Sequence, residues 1–208
     1  MPKPLELKGK LQGPIVGLPT LFKSNLEVNH DGIREHVEFL IENEIRVLML
    51  SQAISEFQYL TEEEIAQVTK TVVEAAAGSA TVLASTWQWW TGKAIEFAKY
   101  AEDIGADGLL VIAPFWPYAE YDPGVHNKGI YEHFKAVAEA VDIGIIFHDR
   151  WVLGYSGRRY TLSLSLVERI ADIENVVGVK EESGDCYRLF EILKRVGNKV
   201  AVIDDYGK

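Results

Sequence analysis

The chain has 208 residues, 48% of them hydrophobic, which is enough to bury a globular core. Its formal net charge of −10 argues against a nucleic-acid partner, because phosphate contacts need a basic face, but leaves room for small acidic substrates that need only a local cationic pocket. No run of about 18 apolar residues is present, so no membrane span or membrane partner is expected, and the lone Cys186 argues against a disulfide framework and for a reducing cytoplasm.

The opening MPKPLELKGK is charged and lacks an apolar stretch, so a secretory signal is not expected. A first strand is predicted over 14–19, followed by a helix over 31–44 with Asp31 as its N-cap. A second strand spans 46–51. The helix over 61–77 opens on Thr61 with Glu64 three residues later, a capping box, and Gly78 stands at its C-terminal end. The pattern continues with a strand over 80–86 and a helix over 91–105 that ends at Gly105. After these come a strand over 108–114, a helix over 128–141 and a strand over 143–148. A long loop carrying Arg150, Arg158 and Arg159 follows, then a helix over 163–173, a strand over 176–180, a helix over 185–196 and a strand over 199–204. Acidic residues such as Glu35, Glu38 and Glu42 fall on helix faces and read as solvated.

The strands are near-continuous apolar runs, as in parallel sheets covered on both faces, and strand and helix alternate throughout. The first strand leads into Gly17-Leu18-Pro19-Thr20-Leu21-Phe22, which is no dinucleotide fingerprint. An α/β fold of the (β/α)8 TIM-barrel type is therefore expected, as a single domain over 1–208. Only seven strands can be counted, so the barrel is expected to be truncated after the seventh and to continue beyond Lys208.

Such barrels place their active sites at the C-terminal strand ends. Those ends hold Thr20, Ser51, Gln52, Ser85, Thr86, Phe115, Trp116, His148, Asp149, Lys180, Glu181, Asp204 and Asp205. Lys180 closes the apolar run Val176-Val177-Gly178-Val179. An amine in such surroundings is expected to have a lowered pKa, leaving it neutral enough to attack a carbonyl.

The segment from Val177 through Lys180-Glu181-Glu182-Ser183-Gly184-Asp185 resembles the reactive-lysine segment of the dihydrodipicolinate synthase/N-acetylneuraminate lyase family. Gly17 to Phe22 is similar to that family's first-strand motif. Ser55-Glu56-Phe57 with Leu60 to Glu64 resembles its second-strand loop, and Gly105 to Gly108 with Ala113-Pro114-Phe115 its fourth strand. The resemblance implies a lyase that forms a Schiff base between Lys180 and pyruvate or another 2-keto acid, with no cofactor or metal. It also implies a homo-oligomer.

The chain departs from the family pattern at three places. Gln52-Ala53-Ile54-Ser55-Glu56 lacks the threonine pair, His148 stands where a proton-relaying tyrosine is usual, and Trp116 matches a second tyrosine. His148 is therefore the expected proton relay, since its ordinary pKa near 6.5 suits that work. Thr20, Ser51, Gln52, Trp116 and Arg150 are the expected substrate contacts, with Arg150 as one of three arginines able to clamp a carboxylate. The aromatic segments Trp87 to Trp90 and Phe115 to Tyr118 are expected either to wall a pocket or to pack between loops or subunits. Two rival readings remain: a metal-dependent barrel using His148, Asp149, Glu56, Glu181 and Asp204, and a non-catalytic relative.

Overall fold

The structure, a computed structural model, describes residues 4–51, 53–86, 90–114, 123–150, 152–153 and 159–205. Seven parallel strands run side by side in sequence order: β1 (Ile15–Gly17), β2 (Val47–Met49), β3 (Thr81–Ser85), β4 (Gly108–Ile112), β5 (Gly144–Arg150), β8 (Val176–Glu182) and β9 (Ala201–Asp204). A small antiparallel hairpin, β6 (Val152–Leu153) with β7 (Arg159–Tyr160), interrupts the run after β5. Helices alternate with the strands: α2 (His30–Glu42), α3 (Glu62–Ala76), α4 (Thr91–Asp103), α5 (Pro123–Ala138), α6 (Leu164–Ala171) and α7 (Cys186–Val196). The barrel-type α/β architecture is thus borne out, as are the strands and helices expected for it. Among the described residues no helix is long and apolar enough to cross a membrane.

Several boundaries differ from the sequence expectation, and three of them have a local reason. Asn29, not Asp31, caps α2: its side chain accepts from the Gly32 N–H at 3.1 Å, while Asp31 sits in the first turn and pairs with Arg34. The helix α5 begins at Pro123, five residues early, because a first helical turn needs no N–H from its leading residue. The strand β5 runs on to Arg150, since its ladder with β8 continues through Asp149↔Glu181 and Arg150↔Glu182. Arg150 is therefore a strand residue and not part of the loop. The expected capping box on α3 is present, with Thr61 N donating to Glu64 Oε2 at 2.8 Å.

The sheet curls so that one face becomes an interior. Val47, Met49, Leu83, Leu110, Ile146 and Val177 meet there, while larger apolar clusters fill the space between the outer face and the helices. The floor of that interior is closed by an element with no sequence signal, the short helix α1 (Pro4–Lys10). Its Leu7 is fully buried and packs with Leu110, Ile146 and Val177. Two glycines make room for it: a Cβ on Gly108 would lie 2.5 Å from Leu7 Cδ2, and one on Gly144 would lie 2.7 Å from it. Leu7→Ala should cost about 3 kcal/mol, the transfer term plus a cavity that the barrel floor is too rigid to collapse. Urea unfolding measures this, and a loss under about 1 kcal/mol would mean that α1 is not part of the core.

Candidate active site at the C-terminal strand ends

The strands β5 and β8 are neighbours in register, with His148 opposite Lys180 and Arg150 opposite Glu182. Side chains alternate along a strand, so these four share the interior face directly above the Ile146 layer. Lys180 is 3% exposed. Its Nζ donates to Glu182 Oε2 at 2.9 Å, pairs with Asp205 Oδ1 at 2.7 Å across on β9's C-terminal side, and lies 3.3 Å from His148 Nε2. His148 Nε2 in turn lies 2.5 Å from the same Glu182 oxygen, while its Nδ1 is buried without a partner among the described residues. The expected apolar surroundings of the lysine are thus corrected: two carboxylates and an imidazole hold the amine, because β9 and the extended end of β8 bring polar groups over the apolar layer.

The electrostatics follow from this crowding. Burial pushes the His148 imidazole below its ordinary range, and the Glu182 hydrogen bond opposes that without overcoming it. Burial would raise Glu182, but hydrogen bonds from His148 and Lys180 and the charge of Lys180 prevail and hold the carboxyl below its ordinary range. Glu182 is therefore ionised at neutral pH and the imidazole is uncharged. A cleft of about 440 Å³ between β1 and β9, lined by Ile15, Met49, Ile203 and Asp205, reaches Lys180. A larger groove, about 820 Å³, lies elsewhere around Tyr131, Lys135 and Asn175 and holds none of the strand-end residues.

The odd positions of the same two strands point outward. Asp149 and Glu181 are both buried against α7, where Arg188 pairs with Asp149, approaches Glu181 Oε1 at 3.8 Å and donates to the Leu162 carbonyl at 2.6 Å. Asp149 also accepts from Leu162 N at 3.1 Å. It therefore does not orient the His148 ring, and the pleat is the reason. The same geometry separates His148 from Asp149 and Glu181, so the metal-ligand set considered from sequence does not converge. Among the described residues no three His, Cys, Asp or Glu side chains are grouped to hold a metal ion.

Thr20 and Ser51 are buried in a separate knot. The Thr20 hydroxyl donates to the Ser55 carbonyl at 2.7 Å, the Ser55 hydroxyl donates to the Leu18 carbonyl at 2.6 Å, and Ser51 N donates to Ser55 Oγ at 3.1 Å. This knot ties the end of β1 to the loop after β2. Gln52 and Trp116 lie outside the described residues, as do Trp87 to Trp89, Phe115, Pro117, Tyr118 and Arg158. The structure brings together Lys180, His148 and Arg150 and adds Glu182, which sequence reasoning quoted in a motif but gave no role. Extending the period-2 pattern of β8 by two residues would have found it.

Similarity to known proteins covers nearly the whole chain. Residues 10–206 match the dihydrodipicolinate synthetase family. The 4-hydroxy-tetrahydrodipicolinate synthase of Chloroherpeton thalassium is 35% identical over 194 residues, covering 93% of this chain and 61% of that protein. The crystal structure of dihydrodipicolinate synthase from Aquifex aeolicus superposes with a TM-score of 0.82 at 32% identity, covering 93% of this chain and 63% of that one. The chloride-inhibited dihydrodipicolinate synthase of Acinetobacter baumannii, solved with pyruvate, gives a TM-score of 0.82 at 30% identity over 93% and 63% of the two chains. The N-acetylneuraminate lyase of Mycoplasma synoviae, at 20% identity and a TM-score of 0.78, shares the fold. This chain spans about three fifths of the length of the relatives it matches. With the match running from the last residue of α1 to just past Asp205, the chain belongs to the dihydrodipicolinate synthetase family.

Proposed function

We propose that this chain carries the imine-forming site of a lyase acting on pyruvate or another 2-keto acid, by aldol cleavage, condensation or dehydration. The observation that carries the reading is Lys180: a buried primary amine at a strand end, facing the interior, beside a proton-handling imidazole. Attack of Nζ on a keto carbon forms the C–N bond, the carbonyl oxygen leaves as water, and a protonated imine remains. The imine draws electrons from the adjacent carbon, so a C–H or C–C bond there can break to give an enamine. The electron sink is made from substrate and lysine, so the chemistry calls for no cofactor. His148 is the proton relay of this reading, supported by its uncharged imidazole on the interior face opposite Lys180. Arg150 is the carboxylate anchor, supported by its place on the same face and by a buried Nε without a partner among the described residues.

Self-association belongs to the same reading. Its support is the run of Tyr187, Phe190 and Leu193, all exposed on the outer side of α7. A reducing cytoplasm is the compartment that suits the free, exposed thiol of Cys186.

The test is chemical trapping. Incubation with pyruvate and borohydride should convert the imine to a stable secondary amine, and peptide mapping should find the added mass on the peptide that holds Lys180. No adduct with pyruvate or with longer 2-keto acids, or an adduct on another lysine, would overturn the assignment.

A further inference from the structure

Lys180 and His148 face each other across a strand pair, yet their nitrogens stand 3.3 Å apart, long for a charge-assisted hydrogen bond. The atom that joins them is Glu182 Oε2, 2.9 Å from Nζ and 2.5 Å from Nε2. Asp205, on the other side of the amine, pairs with Nζ at 2.7 Å. An ionised carboxylate can only accept, so both short contacts must run into Oε2 from N–H donors. The proton of the neutral imidazole therefore sits on Nε2, and Nδ1 carries the bare lone pair, consistent with its having no partner among the described residues. It also accounts for the long lysine–histidine distance, since Nε2–H cannot accept from Nζ.

We propose that Glu182 is a catalytic residue: it fixes His148 with its proton on Nε2, and it takes and returns the protons that Lys180 exchanges during imine formation. This rests on the reading of Lys180 as the imine-forming amine. The steps balance. Nζ gives one proton to Oε2 and attacks the keto carbon; the C–N bond forms and the carbonyl π pair moves to oxygen. Oε2 returns that proton to the oxygen, giving a hydroxyl. Nitrogen then gives a second proton to Oε2, which passes it to the hydroxyl as the C–O bond breaks. Water and a protonated imine are the products, and Glu182 ends as the carboxylate it began as.

Glu182→Gln keeps the length and an accepting oxygen but cannot carry a proton. With pyruvate, the rate of forming borohydride-trappable adduct should fall about 100-fold, the usual scale of general acid–base catalysis. Glu182→Asp, which restores the carboxylate one methylene short, should regain part of that rate, whereas a merely structural role would leave the two variants alike. A Glu182→Gln rate within about threefold of wild type would overturn the proton-transfer role. Independently, a two-bond proton–nitrogen NMR spectrum of the substrate-free wild type should show the His148 proton on Nε2, and a proton on Nδ1 would overturn the tautomer assignment. Wild-type protein that forms no adduct at all would defeat the imine reading and the proton-transfer role with it, and the ring spectrum would still decide whether Glu182 sets the tautomer.

Discussion

Replacing Lys180 with arginine should abolish borohydride-trappable adduct with every 2-keto acid while leaving the protein folded. A guanidinium stays protonated across the accessible pH range and has no lone pair to offer a carbonyl, so the expected loss is complete and not graded. The choice of arginine matters because Glu182 and Asp205 both point at this position. An apolar replacement would leave two carboxylates with no cation between them and confuse lost chemistry with lost stability. With arginine the positive charge remains, so urea unfolding of the variant should lie close to wild type. Adduct that persists in Lys180→Arg would show that another amine does the chemistry.

The largest effect on stability is expected at Arg188, on the far side of the same strands. It is the cation for two buried carboxylates, Asp149 at 0% and Glu181 at 1% exposure. Arg188→Met removes it and strands both, which should cost about 3–5 kcal/mol at neutral pH. The loss should also depend on pH. Burial already raises Asp149 to about 6 despite the arginine, and removing the arginine raises it further. A carboxyl whose folded pKa lies above its unfolded value favours the folded state below the unfolded value, and that gain is lost as pH rises through the folded value. The stability difference between variant and wild type should therefore shrink from pH 8 toward pH 5, measured by urea unfolding at each pH. A difference that stays constant, or one below about 1 kcal/mol, would show that the network contributes little.

Much of this architecture was legible because parallel strands covered on both faces leave near-continuous apolar runs, and the capping box at Thr61 leaves an unambiguous pair. Strand ends were less legible. The polar stretches His148-Asp149-Arg150 and Lys180-Glu181-Glu182 look like loops, yet the ladder between β5 and β8 carries on through them. For that reason Arg150 reads as a loop residue from sequence and Glu182 carries no visible role. The role of Asp149 was readable from alternation, which already turned it away from His148. Asp205 was visible only as a strand end, because its approach to Lys180 depends on how β9 lies beside β8. Helix α1 gave no signal, being too short for a periodic pattern and amphipathic through a single buried leucine. The hairpin of β6 and β7 was equally silent, since two-residue strands carry no alternation to detect.

The leucine under the barrel floor has a consequence for the order of events during synthesis. Leu7 leaves the ribosome well before its partners on β4, β5 and β8, with Val177 about 170 residues behind it. At about 5–20 residues per second, the helix waits roughly 10–30 s with its apolar side uncovered. Docking of α1 must wait for β8, after neighbouring strands have zipped up through short-range contacts. A nascent chain of this kind offers a leucine-bearing amphipathic segment to any holdase near the tunnel exit. Its release would coincide with the closing of the barrel floor.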